Sequence, residues 1–226
     1  MAKTYAIAID GPAGAGKSTI AKRLAKELGF QYVDTGALYR TVAYFLDLLG
    51  ISPKDVDGVE RYIDELNVEI EYDEDGLQHM IMNGMDVSKD IRTQDISQKA
   101  SLVSAHAVVR DALLDMQRNV AKNYNVIMDG RDIGTVVLPK ADVKIFLTAS
   151  AEVRAKRRTD ELLAKGQTAV FETVLKEIEQ RDYQDTHRPI APLKMAKDSV
   201  KLDTSDLDID GVVAAMRKII AEKIAL

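Results

Sequence analysis

The run Gly11-Pro12-Ala13-Gly14-Ala15-Gly16-Lys17-Ser18 constrains this chain more than any other feature. It fits G-x-x-x-x-G-K-[ST] and lies between an apolar, strand-like segment, Thr4–Asp10, and an amphipathic helical one, the context that gives the motif its meaning. Glycines in such a turn let the backbone curl until its N–H groups converge on an anion, and the helix behind adds the positive end of its dipole. Lys17 is expected to reach the outer phosphates of a nucleoside triphosphate and the Ser18 hydroxyl to ligate Mg²⁺. Thr19, in the first turn of the helix, completes the expected triphosphate site. A glycine-rich turn without function is the bland alternative, and the flanking elements argue against it.

A loop of this kind needs a parallel sheet to carry it, and the pattern supplies one. Five short apolar runs read as strands: Thr4–Asp10, Gln31–Asp34, Asn125–Asp129, Val143–Leu147 and Ser199–Leu202. Between them Ala21, Leu24, Ala25 and Leu28 follow helical spacing up to Gly29, and Leu38, Val42, Phe45 and Leu49 do so up to Gly50. Near-continuous apolar strands alternating with helices predict a parallel sheet covered on both faces. From Asn67 to Val87 the pattern switches to three short strands, Val68–Tyr72, Leu77–Met82 and Met85–Val87. Asp75-Gly76 and Asn83-Gly84 separate them as expected tight hairpin turns. Glu152–Arg188 is highly charged and helical with Gly166 at its middle, which predicts a helical hairpin standing off the core. At 226 residues the chain fits one domain. We divide it into a core (1–60, 105–150, 190–226), an insert (61–104) and a lid (151–189).

No apolar run approaches the roughly 18–20 residues that cross a bilayer, so no membrane role and a cytoplasmic location are expected. The absence of cysteine excludes disulfides, and the three histidines have no metal-ligand spacing. A net charge of −5 argues against a nucleic-acid partner, and a monomer is expected. An anionic ligand must therefore meet cations that are concentrated locally. Arg40, Arg131, Arg154, Arg157, Arg158, Arg181 and Arg188 lie near the strand ends or on the charged hairpin, and a guanidinium suits phosphate because it donates in pairs. Arg181, Asp185 and Arg188 have spacings that put all three on one helix face, where a solvated salt-bridge ladder is an equal alternative. Asp129 ends a buried strand at the edge where ligands bind in this architecture. With Ser18 and Asp34 it makes up the candidate Mg²⁺ shell, the carboxylates acting directly or through water.

Several blocks together resemble bacterial cytidylate kinases: Asp10 to Lys17, Tyr32-Val33-Asp34-Thr35-Gly36-Ala37-Leu38-Tyr39-Arg40, Asp90-Ile91-Arg92-Thr93, Asp129-Gly130-Arg131-Asp132-Ile133-Gly134-Thr135, and Leu202-Asp203-Thr204-Ser205. The phosphate loop is widespread, whereas the Asp-Thr-Gly and Asp-Gly-Arg-Asp blocks are far more specific. The resemblance implies a P-loop kinase core with a five-stranded parallel sheet flanked by helices, a small antiparallel insert that binds the monophosphate, and a helical lid. It also implies transfer of the ATP γ-phosphate to CMP or dCMP. It assigns the acceptor phosphate to Arg40, Arg131 and Arg188, with Thr35 in the acceptor site. Ser101, Arg110 and Asp132 fall around cytosine, and Arg181 with Asp185 near the ribose. Judged without it, Ser101 and Arg110 read as ordinary helix surface.

The chemistry is consistent with that resemblance. A phosphate acceptor has a second pKa of about 6 and needs no general base, so catalysis reduces to alignment and charge neutralisation by Lys17, Arg131, Arg154, Arg158 and Arg188. A kinase of a hydroxyl-bearing metabolite would need a base, for which Asp34 is the candidate. A switch GTPase would need an Asn-Lys-x-Asp stretch, and the chain has none.

Overall fold

The computed structural model describes residues 3–225. Strands β1 (Ala6–Asp10), β2 (Gln31–Asp34), β6 (Val126–Gly130), β7 (Val143–Thr148) and β8 (Val200–Asp203) form one parallel sheet in the order β2-β6-β1-β7-β8. All five expected strands are present, with ends moved by up to two residues. The ladder opens at Ala6 rather than Thr4 because the Tyr5 N–H is taken by the Asn125 side chain at 2.8 Å. Alternate side chains of this sheet enter two cores. Ile7, Ile9, Ile127, Ile145 and Leu147 pack against α1 (Lys17–Leu28) and α8 (Ile209–Lys223) on one face. Ala8, Val33, Val126 and Met128 pack on the other with Ile133, Val137 and Leu114, the last from α5 (Ala107–Asn123).

In α1 the expected apolar stripe is buried at Ala21, Leu24 and Ala25, and Gly29 ends the helix in the left-handed conformation. In α2 (Thr35–Leu48) Leu38, Val42 and Phe45 are buried, but Leu49 is the C-terminal cap and 45% exposed. The helix stops one residue before the periodicity does, and Leu46 fills the core instead.

Helix α3 (Val56–Tyr62) leads into the antiparallel sheet of the insert, β3 (Val68–Tyr72), β4 (Gln78–Met82), β5 (Met85–Asp86). A short turn at Asp90–Arg92 and helix α4 (Gln94–Val103) return the chain to the core. Asn83 and Gly84 both have positive φ (48° and 81°), which makes the two-residue turn their sequence predicts. Asp75-Gly76 instead sits in a longer loop, in which Asp73 accepts from the N–H groups of Asp75 and Leu77. The insert covers the outer edge of β2, whose backbone would otherwise be unpaired. Gln78 accepts from the Asp34 N–H at 2.7 Å, and the Tyr72 hydroxyl donates to the Tyr32 carbonyl at 3.0 Å.

Helices α6 (Ala151–Ala164) and α7 (Phe171–His187) form the expected hairpin, which turns at Gly166 with φ 72°. They share a small core of Ala155, Val174 and Ile178. Arg188 lies just past α7 with extended backbone, so it does not share a helix face with Arg181 and Asp185 as the spacing predicts. Among the described residues no helix is long and apolar enough to cross a membrane.

Candidate active site

The C-terminal ends of β1, β2 and β6 open into a cavity of about 780 Å³ that runs from the phosphate loop to a group of arginines. The loop is tight because its backbone must be. A Cβ at Gly11, where φ is 151°, would lie 1.9 Å from the Leu147 carbonyl oxygen on β7. We expect Gly11→Ala to lose about 2–4 kcal/mol through backbone strain and displacement of β7, lowering Tm by about 5–10 °C in a calorimetric melt. Lys17 is buried, and its Nζ donates to the carbonyls of Gly11 and Pro12 at 2.8 Å each. Burial, and then the charge of Arg131, pull its pKa down to about 7.

Beside the loop the Ser18 hydroxyl donates to Asp129 Oδ2 at 2.9 Å, and the Tyr32 hydroxyl to Oδ1 at 2.7 Å. Burial and the neighbouring Asp34, its register partner across β2 and β6, raise the Asp129 pKa. A carboxylate so placed gains from a cation, and a hard divalent ion suits this hydroxyl and carboxylate pair. Among the described residues no three metal-ligating His, Asp or Glu side chains converge, so such an ion must complete its shell with nucleotide oxygens and water. Asp34 is already engaged: it caps α2 through Ala37 N–H at 2.9 Å and accepts from Arg40 at 2.8 Å and Arg92 at 3.1 Å. Burial opposes its ionisation, yet Arg40 and Arg92 hold its pKa below the usual carboxylate value.

At the far end of the cavity Arg131 Nε pairs with Asp185 at 2.8 Å. Arg181 stands near it, and burial followed by repulsion from Arg131 lowers its pKa to about 10. The Nε atoms of Arg181 and Arg40 are buried and have no hydrogen-bond partner among the described residues. Guanidiniums left with unsatisfied donors and mutual repulsion make a site that an anion completes. The bland reading of Arg181 and Asp185 as a solvated ladder does not hold, since Asp185 is only 4% exposed.

A third cluster lies on the side of α5. Asp132 accepts from Arg110 and, at 3.0 Å, from Arg188. Arg188 also donates to Ser104 Oγ at 3.1 Å and to the Ala191 carbonyl at 2.7 Å. Burial raises the Asp132 pKa, and Arg110 and Arg188 pull it back. Arg110, 7% exposed and lying over the Tyr39 ring, is not the helix surface that its position suggests. Ser101 lines the cavity from α4. The Thr35 hydroxyl donates to the Asp129 carbonyl at 2.7 Å, which leaves it only acceptor capacity.

The hairpin arginines differ in kind. Arg154 is 4% exposed and commits four of its five N–H donors: its Nε donates to Ala149, its NH1 to Ala13 of the phosphate loop, and both terminal nitrogens to Asp182. Arg158 is half-buried in an ion pair with Glu161 and lines the cavity. Arg157 holds the Thr204 and Leu207 carbonyls and so fixes α6 to the segment after β8. Sequence reasoning missed Tyr32, Gln78, Ser104 and Asp182 as partners here. Asp182 adjoins Arg181 and was within reach of a spacing argument, whereas nothing local links Tyr32 to Asp129.

A parallel sheet carrying this loop, a hydroxyl–carboxylate pair beside it and an arginine-lined far end define a P-loop kinase. A sequence profile described as cytidylate kinase matches residues 7–222, and the chain belongs to the cytidylate kinase family. A Leuconostoc mesenteroides protein named cytidylate kinase is 47% identical over 221 residues, 98% of either chain. One from Ligilactobacillus salivarius is 49% identical over 223 residues, 99% of either chain. Among solved structures, an uncharacterized protein from Eubacterium ventriosum shares the fold with a TM-score of 0.53 at 15% identity, covering 96% of this chain and 99% of its own.

Proposed function

We propose that this chain transfers the γ-phosphate of ATP to CMP or dCMP, giving ADP and CDP or dCDP. The observation that carries the reading is the pair of buried, unpartnered Nε atoms on Arg40 and Arg181 across the cavity from the phosphate loop. Two anion-ready ends in one cavity suit a donor and an acceptor that both carry phosphate. An alcohol acceptor would need a base, and Asp34, committed to two arginines and a helix cap, is a poor one. The relatives named cytidylate kinase direct the choice of base.

In this reading the loop from Gly11 to Thr19 holds the triphosphate. Leu207, Ile209 and Val212, which line the cavity beside it, offer an apolar wall to the adenine. Ser18 and Asp129 would hold Mg²⁺, with Asp34 through water, and the ion would supply neutralisation of charge on the outer phosphates. Arg40, Arg131 and Arg188 bind the acceptor phosphate, and Arg181, whose Nε is unpartnered, joins them from the ribose side; the deprotonated phosphate oxygen is already the nucleophile. Asp185, held by Arg131, is left with one oxygen for a ribose hydroxyl. Asp132, Arg110 and Ser101 read cytosine, with Arg188 bridging base and phosphate. Lys17 and the arginines then stabilise the charge of the transferring group.

Residues 151–189 act as a lid in the same reading, and the insert 61–104 closes over the acceptor. Only a small core stabilises the hairpin, so its opening should need less energy than global unfolding. We expect amide exchange across α6 and α7 to slow by about tenfold or more with an ATP analogue and CMP both present, read by mass spectrometry. Equal exchange with and without ligands counts against a lid. The activity itself is tested by a coupled assay for ADP with CMP, dCMP, UMP, AMP and shikimate. Turnover with CMP and dCMP well above the rest is the expected result, and preference for another acceptor overturns the assignment.

A further inference from the structure

Residues Ile133–Val137 form a single π-helical turn with Asp132 at its N-terminal cap. An aspartate in that position ordinarily turns its own carboxylate back to accept from the free N–H groups of the turn. Asp132 makes no such bond. The two N–H groups are taken from outside the turn: Ile133 donates to Asp10 Oδ1 and Gly134 to Asp10 Oδ2, each at 2.7 Å. Asp10 ends β1, is 3% exposed, and immediately precedes Gly11 of the phosphate loop. The turn is closed behind Asp132 by its carbonyl, which accepts from Val136 N–H at 2.8 Å. The Asp132 carboxylate is thereby released from capping and meets Arg110 and Arg188.

We infer that Asp10 is a positioning residue for base selection, whose carboxylate caps the turn in place of Asp132 and so keeps Asp132 facing the acceptor base. The inference rests on the reading that Asp132 discriminates cytosine. With Asp10 unable to fill both N–H groups, the turn is no longer pinned to the end of β1, and the Asp132 carboxylate that it carries shifts relative to the acceptor base. Arg110 and Arg188, paired with Asp132, shift with it. The Asp10 side chain spends its hydrogen bonds on this turn, so the predicted damage falls chiefly on the acceptor base, with only a minor electrostatic effect on Lys17.

The test is a double-mutant cycle on the ratio of kcat/KM for CMP to that for UMP. Asp10→Asn can satisfy only one of the two N–H groups. It is expected to lower the ratio by about fivefold or more through a higher KM for CMP, leaving KM for ATP within about twofold. In an Asp132→Asn background the same change is expected to leave the ratio where Asp132→Asn alone put it. A Cβ at Gly134 would lie 3.3 Å from Asp10 Oδ2 and 3.1 Å from Lys144 Cδ, so Gly134→Ala presses on the same contact and should lower the ratio in the same direction. It carries the test if Asp10→Asn does not fold. If Asp132→Asn shifts the ratio while neither Asp10→Asn nor Gly134→Ala does, the positioning role is overturned and base reading by Asp132 stands. A purely structural Asp10 would lower Tm, or raise both KM values together, without moving the ratio. If Asp132→Asn itself leaves the ratio unchanged, base reading fails and this inference fails with it.

Discussion

Lys17→Ala is expected to lower turnover by at least about a hundredfold, the loss typical of removing one charge-stabilising donor from a transition state. The protein should remain folded. Lys17 is a buried cation whose pKa is pulled down to about 7, which means that the fold bears its charge at some expense. Removing it relieves that expense but takes the donor from the Gly11 and Pro12 carbonyls, so Tm should change little. The same geometry predicts a pH signature independent of turnover. A triphosphate beside Nζ restores a high pKa, so above pH 7 ATP binding must take up a proton. ATP affinity should therefore fall by up to about tenfold per pH unit on the alkaline side and level off on the acid side, where the lysine is already charged. Calorimetric titration at pH 8 in two buffers of different ionisation enthalpy reads the proton directly, and Lys17→Ala should abolish the uptake. Near-normal turnover in the folded variant would remove Lys17 from the mechanism.

The contrast between Lys17 and Asp132 shows what a sequence can reveal about such a site. The phosphate loop is legible because its physics is local: one strand end, a glycine turn and one helix start lie within consecutive residues. β1, β2, β6 and β7 are legible for the same reason, since a strand buried on both faces is a short apolar run, whereas the half-exposed edge strand β8 shows only in Val200 and Leu202. The insert strands were marked by turn residues, although Asp75-Gly76 gives a longer loop because Asp73 ties two N–H groups into it. Partnerships across the chain were not legible. Tyr32 with Asp129, Arg154 with Asp182 and Asp10 with Ile133 join residues 97, 28 and 123 positions apart, and no periodicity records them. Arg188 illustrates the limit from the other side. Its spacing from Asp185 suggests a shared helix face, but α7 ends at His187 and the extended backbone that follows takes the guanidinium to Asp132 instead.

Asp132→Asn is expected to collapse the preference for CMP over UMP by roughly tenfold or more, matching the 1–3 kcal/mol lost when a polar contact is mismatched. Cytosine offers an amino donor at N4 beside acceptors at N3 and O2, whereas uracil has an acceptor at O4 and a donor at N3. An ionised carboxylate can only accept, so it favours the N4 amino group and opposes O4. The amide of asparagine can present either end: its oxygen still accepts from N4, while its nitrogen now donates to O4. CMP activity should thus fall while UMP activity falls less or rises. Asparagine is the right probe because Asp132 also stands between Arg110 and Arg188, and alanine there would leave two buried guanidiniums facing each other with no anion between them. The amide oxygen can stay on only one of the two arginines, but Arg110 also donates to the Ser104 carbonyl and Arg188 to the Ala191 carbonyl, so the variant should fold even though the cluster gains a positive charge. That gain adds a second, separable signature. Binding of the acceptor phosphate should not weaken, so the loss with CMP should appear for base contacts and not for inorganic phosphate as a competitor. Measuring kcat/KM for both nucleotides, with phosphate inhibition alongside, decides the matter: an unchanged CMP to UMP ratio means that Asp132 holds the arginines together without reading the base.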